Sequence, residues 1–358
     1  MSSSEIIDVE CNNNNCKNCA VKLGRVYCDG LSDKGAIGCF THFHHDHTSS
    51  VEDCIGQYDR IITHHITLKA LSVNYEGIDL RDNWVTQEYG DKFNSKDGDE
   101  ITLLLANHIP GSAQVHVQTN ETSMIYSGDF SFPEMTTRHA EYMVLDSTHG
   151  EPSYNGKTDR KFVKNDMFER VNDYIDKKQK PIIIMANSGT LEEIIKHFES
   201  GTDKNRMSHD IPFATTKKHK DTLHAIYKNE SRDFRDILTT DGDEQREFWS
   251  LVRGRKRCVI FMGYNDPIDS SLSSLYTVRV DRYRFRSDDS PIIPHDNGIR
   301  YNLAAHASFE DIIKYVNEVK PKTIITDRSR SGFALDLAEQ LKIKFPEKEI
   351  LSRPNCDD

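Results

Sequence analysis

The chain of 358 residues contains the segment Thr41-His42-Phe43-His44-His45-Asp46-His47. Four of its residues follow the pattern His-x-His-x-Asp-His and are possible metal ligands: His42, His44, Asp46 and His47. Neutral imidazole and carboxylate groups are ligands that Zn²⁺ accepts. Because alternate residues of an extended segment point the same way, His42 and His44 can bind one ion, while Asp46 and His47 face a second. The spacing favours a metal site over a surface histidine-rich loop with incidental metal affinity.

Short apolar segments precede this motif and several other histidines or aspartates. Phe40 and Thr41 indicate the end of a buried strand that leads to His42. Further predicted strands cover residues 26–28, 101–105, 123–126 and 142–145, and they lead to Asp29, His108, Asp129 and Asp146. A β-scaffold commonly carries binding and catalytic side chains on the turns that follow its strands. The sequence therefore predicts one site assembled from separate strand ends.

The composition is typical of a soluble globular protein that is long enough for two domains. Apolar residues make up 36% of the chain, and the mean hydropathy is −0.65. No apolar run approaches the roughly 20 residues of a membrane span. The N-terminal sequence Met-Ser-Ser-Ser-Glu lacks the basic and apolar regions of a signal peptide. We therefore expect a cytoplasmic protein, or a nuclear one in a eukaryote, with no membrane association.

The net charge of −11 gives no positive support for tight nonspecific binding to nucleic acid. The excess of acidic residues lies outside residues 161–300. Some of these residues are possible metal ligands, and a bound cation would make the local charge around them positive. Two basic clusters lie within that segment, at residues 253–257 and at Arg282, Arg284 and Arg286. Alternation would put the last three on one face of a strand. They are candidates either for contacts to a nucleic-acid backbone or for charges that protect an edge strand from aggregation.

Four of the eight cysteines lie near the start of the chain: Cys11, Cys16, Cys19 and Cys28. In a chain of cytosolic character, cysteines indicate thiols or metal binding rather than a disulfide framework. The spacing C-x4-C-x2-C-x8-C could hold a small structural zinc site or, less readily, an iron–sulfur cluster. The alternative is a set of reduced, unliganded thiols near a pair of strands.

The middle of the chain has the pattern of an α/β unit. Residues 181–185 form an apolar run that predicts a buried parallel strand, and a helix is expected to begin in Asn187-Ser188-Gly189-Thr190. The free N–H groups of such a helix start could bind a phosphate through Ser188 and Gly189. Ordinary helix capping by these residues is at least as good an interpretation. Residues 201–250 are polar and poorly patterned, and we predict no elements there.

Taken in order, these residues resemble the motifs of the β-CASP branch of the metallo-β-lactamase superfamily. The resemblance spans about residues 20–330. The matching positions are Asp29, the His42–His47 motif, His108 in Asn-His-Ile-Pro-Gly-Ser, Asp129 in Ser-Gly-Asp-Phe, Asp146 in Leu-Asp-Ser-Thr, and His306 in Ala-Ala-His-Ala-Ser-Phe.

The resemblance implies an α/β fold, namely an αβ/βα sandwich that carries the metal site and an inserted β-CASP α/β domain. Residues 1–155 would form the first part of the metallo-β-lactamase domain and residues 156–297 the β-CASP domain. Residues 298–358 would complete the sandwich. The active site would lie in the cleft between the domains.

The family also implies metal-assisted hydrolysis of a phosphodiester. One Zn²⁺ would be bound by His42, His44 and His108, with Asp129 as a fourth or bridging ligand, and a second ion by Asp46, His47 and Asp129. A bound metal lowers the pKa of water and so supplies a nucleophile. The catalytic set would comprise Asp46, Asp146, His306 and Asp29, with Asp146 orienting His306 and Asp29 supporting a ligand histidine. Ser112, Ser188 and Gly189 are candidate phosphate contacts.

The pattern is closest to the Artemis/Pso branch of DNA-repair nucleases, because Asp occupies position 146 and no histidine follows the strand near residue 325. Asp327-Arg328 departs from the apolar residue expected at that place. We therefore expect a 5′-to-3′ DNA exonuclease that acts on DNA rather than RNA. An RNA-processing nuclease and a non-catalytic nucleic-acid-binding subunit are the alternatives. Protein partners are left open.

Overall fold

A computed structural model describes residues 3–11, 19–33, 35–156, 159–200, 207–227, 234–242, 245–281, 286, 289–295 and 297–355. The chain divides into two compact units. The first comprises Met1–Asn155 and Ala305–Asp358, and the second comprises Gly156–Ala304. None of the helices in these described ranges is long and apolar enough to cross a membrane.

The described chain contains 20 strands and 10 α-helices. The strands are β1 (Ile7–Glu10), β2 (Ala20–Leu23), β3 (Val26–Cys28), β4 (Ile37–Phe40), β5 (Arg60–His64), β6 (Trp84–Gln87), β7 (Lys92–Asn94), β8 (Glu100–Leu105), β9 (Ala113–Gln118), β10 (Ser123–Tyr126), β11 (Tyr142–Leu145), β12 (Ile182–Ala186), β13 (Phe213–Thr215), β14 (Ile237–Thr239), β15 (Val259–Gly263), β16 (Tyr276–Asp281), β17 (Ile292–His295), β18 (Gly298–Asn302), β19 (Thr323–Asp327) and β20 (Glu349–Arg353). The α-helices are α1 (Ser3–Ile6), α2 (His45–Thr48), α3 (Val51–Gln57), α4 (His65–Asn74), α5 (Arg160–Lys178), α6 (Thr190–Ser200), α7 (Lys217–Ile226), α8 (Gln245–Arg253), α9 (Phe309–Val319) and α10 (Ala334–Lys344).

The first unit contains two sheets that share a core. One has the order β1-β2-β3-β4-β5-β6 and the other the order β20-β19-β11-β10-β9-β8-β7. Val21, Cys39 and Ile62 of the first sheet lie in one buried cluster with Val115 and Val144 of the second. Alternate residues of a strand point to opposite faces, so each sheet keeps its other face for helices.

Helices α9 and α10 cover the outer face of the second sheet. Ile312 and Val316 of α9 and Leu341 of α10 form a buried cluster with Met143 and Ile324 of the sheet. Helix α9 follows from the sequence, because its apolar residues recur at the spacing of one helix face and Ser308 caps its start by accepting a hydrogen bond from the Asp311 N–H. The layers of the first unit therefore match the predicted α/β sandwich, and the α/β fold class is confirmed.

The second unit is built on one sheet with the order β14-β13-β15-β12-β16-β18-β17. Its strands are parallel except for β17, which pairs antiparallel with β18. The second boundary of this unit lies after residue 304 rather than after residue 297, because β18 pairs with β16 and so belongs to this sheet.

The predicted strand through the three alternating arginines falls mostly outside the described residues. Strand β16 ends at Asp281, and Arg282 and Arg284 lie outside the described residues. Arg286 is described and lies outside any strand.

Candidate metal centre

The site residues of the first unit follow strands whose carboxyl ends share an edge. In the first sheet, β3 and β4 are parallel and paired at Cys28 and Cys39, so Asp29 and Thr41 lie side by side just beyond them. In the second sheet, β10, β11 and β19 are also parallel to one another. Asp129, Asp146 and Arg330 follow these three strands. Carboxyl ends of parallel strands are where open α/β sheets bind ligands.

Three histidines and one aspartate form a compact group of possible metal ligands: His42, His44, His108 and Asp129. Nδ1 of His44 lies 3.0 Å from Nε2 of His42 and 3.2 Å from Nε2 of His108. Oδ2 of Asp129 lies 3.7 Å from Nε2 of His42 and 3.5 Å from Nε2 of His108. A tetrahedral site with metal–nitrogen bonds of about 2.0–2.1 Å has ligand atoms about 3.3 Å apart. The donor atoms therefore fit a tetrahedral ion of the Zn²⁺ type.

Hydrogen bonds at Nδ1 of His42 and of His108 set the tautomers of these two rings. In both rings the lone pair of Nε2 is then directed at the compact group. Nδ1 of His108 donates to the carbonyl oxygen of Ala305 at 2.8 Å, so Nε2 is the unprotonated atom of this ring and can bind a cation. The Thr41 hydroxyl donates its proton to Asp29 at 2.6 Å. It therefore accepts from Nδ1 of His42 at 3.0 Å, and Nε2 of His42 is again the unprotonated atom. Burial and the neighbouring imidazoles lower the pKa of His42 well below its usual value, so this ring is neutral, as a metal ligand must be.

Asp29 also holds His47, next to the compact group. Oδ2 of Asp29 accepts a hydrogen bond from Nδ1 of His47 at 2.7 Å, and Oδ1 accepts from the Thr41 N–H at 2.8 Å. Nε2 of His47 is buried and makes no hydrogen bond. It lies 3.3 Å from Oδ1 of Asp129 and 3.7 Å from Oδ2 of the half-exposed Asp46. These donors could contribute to a second cation position, although Asp46 lies too far away to form a compact group with them among the described residues.

The predicted catalytic pair lies beside the same aspartate. Nδ1 of His306 lies 3.1 Å from Oδ2 of Asp146, and Nε2 of His306 lies 3.8 Å from Oδ2 of Asp129. Asp146 also accepts hydrogen bonds from the N–H and hydroxyl of Thr148. Burial raises the pKa of Asp146, but the hydrogen bonds from His306 and Thr148 lower it below its usual value. The carboxylate is therefore ionised and can stabilise a protonated His306.

Three known proteins have sequence similarity to this chain. No family model matches the sequence. A protein named "Probable DNA ligase" from Opitutus terrae is 24% identical over 269 residues, which cover 71% of this chain and 24% of that protein. RNase aCSPSF2 from Saccharolobus solfataricus is 26% identical over 123 residues, 31% of this chain and 24% of that protein. DNA cross-link repair protein SNM1 from Arabidopsis thaliana is 25% identical over 166 residues, 43% of this chain and 33% of that protein.

These similarities, all at low identity, support the resemblance of the chain to the β-CASP metallo-β-lactamase superfamily. The matched parts span only between 24% and 33% of the length of these relatives. A crystal structure of a protein of unknown function from Enterococcus faecalis V583 superposes on this chain with a TM-score of 0.62. It covers 98% of each chain at 9% sequence identity, so the likeness shows the fold alone.

Two of the predicted phosphate contacts make hydrogen bonds within the protein. Ser112 is fully buried, and its hydroxyl accepts hydrogen bonds from the N–H groups of His108 and Ile109. It therefore fixes the turn that carries His108 and is not placed for contact with substrate. The N–H of Gly189, in the second unit, donates to the carboxylate of Glu192, which caps α6 and would repel a phosphate there. Ser188 precedes Gly189 in the same turn.

The predicted zinc site at the N-terminal cysteines is wrong for two of its four members. Cys11 and Cys19 form a disulfide, because β1 and β2 pair at Glu10 and Ala20 and so bring the next residues together. A disulfide sulfur is not the thiolate that a zinc site requires. Cys28 is buried in β3, and its pKa is raised by burial and by contact with Cys39. Cys16 lies outside the described residues.

A second group of possible metal ligands comprises His64, His65 and Glu88. Nδ1 of His65 lies 2.8 Å from the Glu88 carboxylate, and Nε2 of His64 lies 3.5 Å from it. Nδ1 of His64 accepts a hydrogen bond from the Ile66 N–H, so the proton of this ring is on Nε2. A protonated Nε2 facing a carboxylate is a donor and not a metal ligand.

Sequence reasoning missed the supporting roles of two residues, Thr41 and Arg330. Thr41 links Asp29 to His42 through two hydrogen bonds. Its position directly before the motif is the feature of the sequence that could have indicated this role. Arg330 donates to the carbonyl oxygen of Asp29 at 3.0 Å and pairs with Asp327. Asp327 stands out in the sequence as a charged residue at the end of an apolar strand. The sequence does not indicate that Arg330, three residues later, pairs with it.

Proposed function

We propose that this chain is a zinc-dependent nuclease that hydrolyses phosphodiester bonds in DNA from the 5′ end and acts in DNA repair. The observation that carries the proposal is the convergence of four metal-ligand atoms, from His42, His44, His108 and Asp129, next to the His306–Asp146 pair. A set of metal ligands beside an acid–base pair is the arrangement that hydrolysis of a phosphodiester requires.

His42, His44, His108 and Asp129 would hold the ion. When bound, a divalent metal lowers the pKa of water toward neutrality and offsets the negative charge of the phosphate. Zn²⁺ is the metal that best fits three imidazoles and one carboxylate at tetrahedral spacing. Thr41, Asp29 and the carbonyl of Ala305 fix the rings, so little reorganisation is needed when the ion binds.

His306 would contact the phosphate or give a proton to the departing oxygen. Its Nδ1 atom faces Asp146, so its Nε2 atom is the one directed toward the metal group, 3.8 Å from Oδ2 of Asp129. The ionised Asp146 favours the protonated imidazole and fixes the orientation of the ring. Asp146 is thus a positioning residue, and His306 is the group that would touch substrate.

The choice of DNA is supported by two observations. The Arabidopsis relative is named a DNA cross-link repair protein, and the Opitutus relative is named a probable DNA ligase. The sequence also resembles the DNA-repair branch of the family at two positions: residue 146 is aspartate, and no histidine follows β19. RNA is the second candidate substrate, because another relative is named an RNase.

The test compares 5′-phosphorylated single-stranded DNA and RNA of the same sequence with protein reconstituted with zinc. We expect cleavage of DNA, with mononucleotides released first from the 5′ end and with slower reaction when the 5′ end is blocked. His108→Ala should abolish cleavage, while His45→Ala, an exposed residue of the same motif, should leave it unchanged. Cleavage of RNA alone would overturn the DNA proposal, and cleavage of neither by metal-loaded protein would overturn the nuclease proposal.

A further inference from the structure

The backbone on each side of His306 accepts a hydrogen bond from a histidine ring. On one side, Nδ1 of His108 donates to the carbonyl oxygen of Ala305 at 2.8 Å. On the other side, Nδ1 of His149 donates to the carbonyl oxygen of Ala307 at 3.1 Å. A carbonyl oxygen can only accept, so both of these ring nitrogens carry a proton. His149 is buried, as His306 is, and it has no part in the ligand set or in the acid–base pair.

His149 and Asp146 belong to one short segment, which follows β11. The carboxylate of Asp146 lies 3.1 Å from Nδ1 of His306. Three residues later in the segment, His149 bonds to the backbone of the residue that follows His306. That residue, Ala307, also donates its N–H to the carbonyl oxygen of Phe130 at 2.7 Å. The segment after β11 therefore holds His306 twice, once at its ring and once through its backbone.

The ring of His149 is itself fixed by aromatic packing. It is stacked on Tyr154 with ring centroids 5.3 Å apart and an angle of 2° between the planes. Tyr154 in turn packs against Phe333 at 4.9 Å, and its carbonyl oxygen accepts a hydrogen bond from the N–H of Phe309 at 3.0 Å. The His306 ring lies 5.8 Å from the His149 ring at an angle of 63°. His149 is thus a rigid donor beside the His306 segment.

The residue type at position 149 indicates which of these contacts matters. Stacking on Tyr154 needs only an aromatic ring, whereas the bond to Ala307 needs a ring N–H. Burial of an imidazole costs more free energy than burial of a phenyl ring, unless its polar atoms make hydrogen bonds. The hydrogen bond to the backbone next to His306 offsets that cost.

We infer that His149 is a further positioning residue of this site: its ring N–H fixes the backbone at Ala307 and so keeps Nε2 of His306 directed at the metal group. The inference rests on the proposed function of the same site, in which His306 is the group that touches substrate. Nε2 of His306 lies 3.8 Å from Oδ2 of Asp129. A displacement of about 1 Å at such a group can lower a rate about 100-fold.

Two substitutions of His149 separate its hydrogen bond from its packing. His149→Phe keeps an aromatic ring on Tyr154 and removes the donor. It should lower kcat about 10–100-fold, with KM and zinc content unchanged. His149→Asn places an amide N–H near the position of Nδ1 and should stay within about fivefold of wild type. Thermal unfolding identifies the variants that fold, and His149→Leu, which also lacks the donor, replaces His149→Phe if that variant does not fold.

A second background shows whether His149 acts through His306. In a His306→Ala protein, His149→Phe should cause no further loss of the residual cleavage, because residues that act as a unit are not additive. A residue needed only for folding would lower activity in both backgrounds. His116→Phe is the matched control. It removes another buried histidine of the first unit, whose Nε2 donates to the carbonyl oxygen of His139 at 3.3 Å, and it should leave kcat unchanged.

Amide hydrogen exchange of the metal-free protein tests the contact without any measurement of cleavage. The N–H of Ala307, which donates to Phe130, reports local opening of the His306 segment. It should exchange at least about tenfold faster in His149→Phe than in wild type. The N–H of Asp29, which donates to the carbonyl oxygen of Cys39 at 2.9 Å, should keep its rate.

The outcomes distinguish this inference from the proposed function. The inference is wrong if folded His149→Phe keeps the wild-type kcat or the wild-type exchange rate at Ala307. It is also wrong if His149→Phe causes the same loss of kcat with and without His306. If wild type loaded with zinc cleaves neither DNA nor RNA, the proposed function fails instead, and the exchange rates still decide whether His149 holds the segment.

Discussion

Nδ1 of His306 lies 3.1 Å from Oδ2 of Asp146, although 160 positions separate the two residues in the sequence. Both side chains are buried, at the end of β11 and in the segment that leads to α9. The whole second unit lies between them in the chain. An imidazole held by a carboxylate in this way has a fixed orientation and a preferred protonation state.

Asp146→Asn should lower kcat about 100-fold or more, with little change in KM or in zinc content. The amide keeps the shape of the side chain but loses the charge that favours protonated His306. Steady-state kinetics and elemental analysis of the same preparations would check this. Thr148→Val is the matched control, since it removes only one hydrogen bond to Asp146 and should have a smaller effect. A variant Asp146→Asn with wild-type kcat would exclude the positioning role.

His108→Ala should reduce the affinity for the first zinc ion by more than about 100-fold, beyond the usual effect of residues that only support a ligand. Asp29→Asn, which alters the support of His42 and His47, should reduce it by about 10–100-fold. His45→Ala should have no effect, because its side chain is exposed and lies outside the compact group. Competition with a zinc-binding dye measures all three. Equal affinities in His108→Ala and His45→Ala would contradict the assigned ligand set.

Gly111→Ala should destabilise the first unit more than Gly90→Ala does. Both glycines have a positive φ, 81° and 89°, so alanine at either position costs about 1–2 kcal/mol of backbone strain. At Gly111 a Cβ atom would also lie 2.9 Å from the backbone nitrogen of Thr67, whereas nothing lies within 4 Å at Gly90. The overlap should add about 1–3 kcal/mol. Denaturant unfolding measures the unfolding free energy of each variant. Similar losses in Gly111→Ala and Gly90→Ala would show that the turn carrying His108 relaxes around the added methyl group.

The stability of the second unit should fall as the pH rises above neutrality. Nδ1 of His219 lies 2.6 Å from the Glu192 carboxylate, and Nε2 lies 3.4 Å from Asp266. Burial opposes the charged form of His219, but these two carboxylates raise its pKa from 6.5 to about 9. The stabilisation is therefore fully present below pH 6.5 and is lost as the pH rises through about 9. Its size is about 3 kcal/mol at most.

His219→Gln should remove most of this pH dependence. Trp84 lies in the first unit and Trp249 in the second, so a Trp84→Phe background lets the fluorescence of Trp249 report on the second unit. Unfolding free energies would be compared between about pH 6 and pH 10, the range that spans the titration of a histidine with a raised pKa. An identical pH dependence in both proteins would mean that another group causes it.

The sequence predicted those elements whose signal is local. Helix α9 carries such a signal, because its apolar spacing and its serine cap agree. Strands β10 and β11 are short apolar runs that end at a turn, and both are also found where they were expected. The ligand pattern of residues 42–47 belongs to this class, since its members are close in the sequence.

Features that depend on distant partners could not be predicted in this way. Residues 201–250 contain α7, which begins with Lys217-Lys218-His219-Lys220 and buries only a few of its residues. Strands β13 and β14 have three residues each, too few to show a period. The pairing of Cys11 with Cys19 depends on the register of β1 and β2, and the role of Arg330 depends on its contact with Asp29.

The hydrogen bond between His108 and Ala305 joins residues that are 197 positions apart. During synthesis, all four members of the compact group leave the ribosome long before the carbonyl that sets the tautomer of His108. A nascent chain that ends before Ala305 thus contains all four ligand side chains but lacks the hydrogen bond that fixes the tautomer of His108. The contact that sets the tautomer of His108 can therefore form only after the whole second unit has been translated.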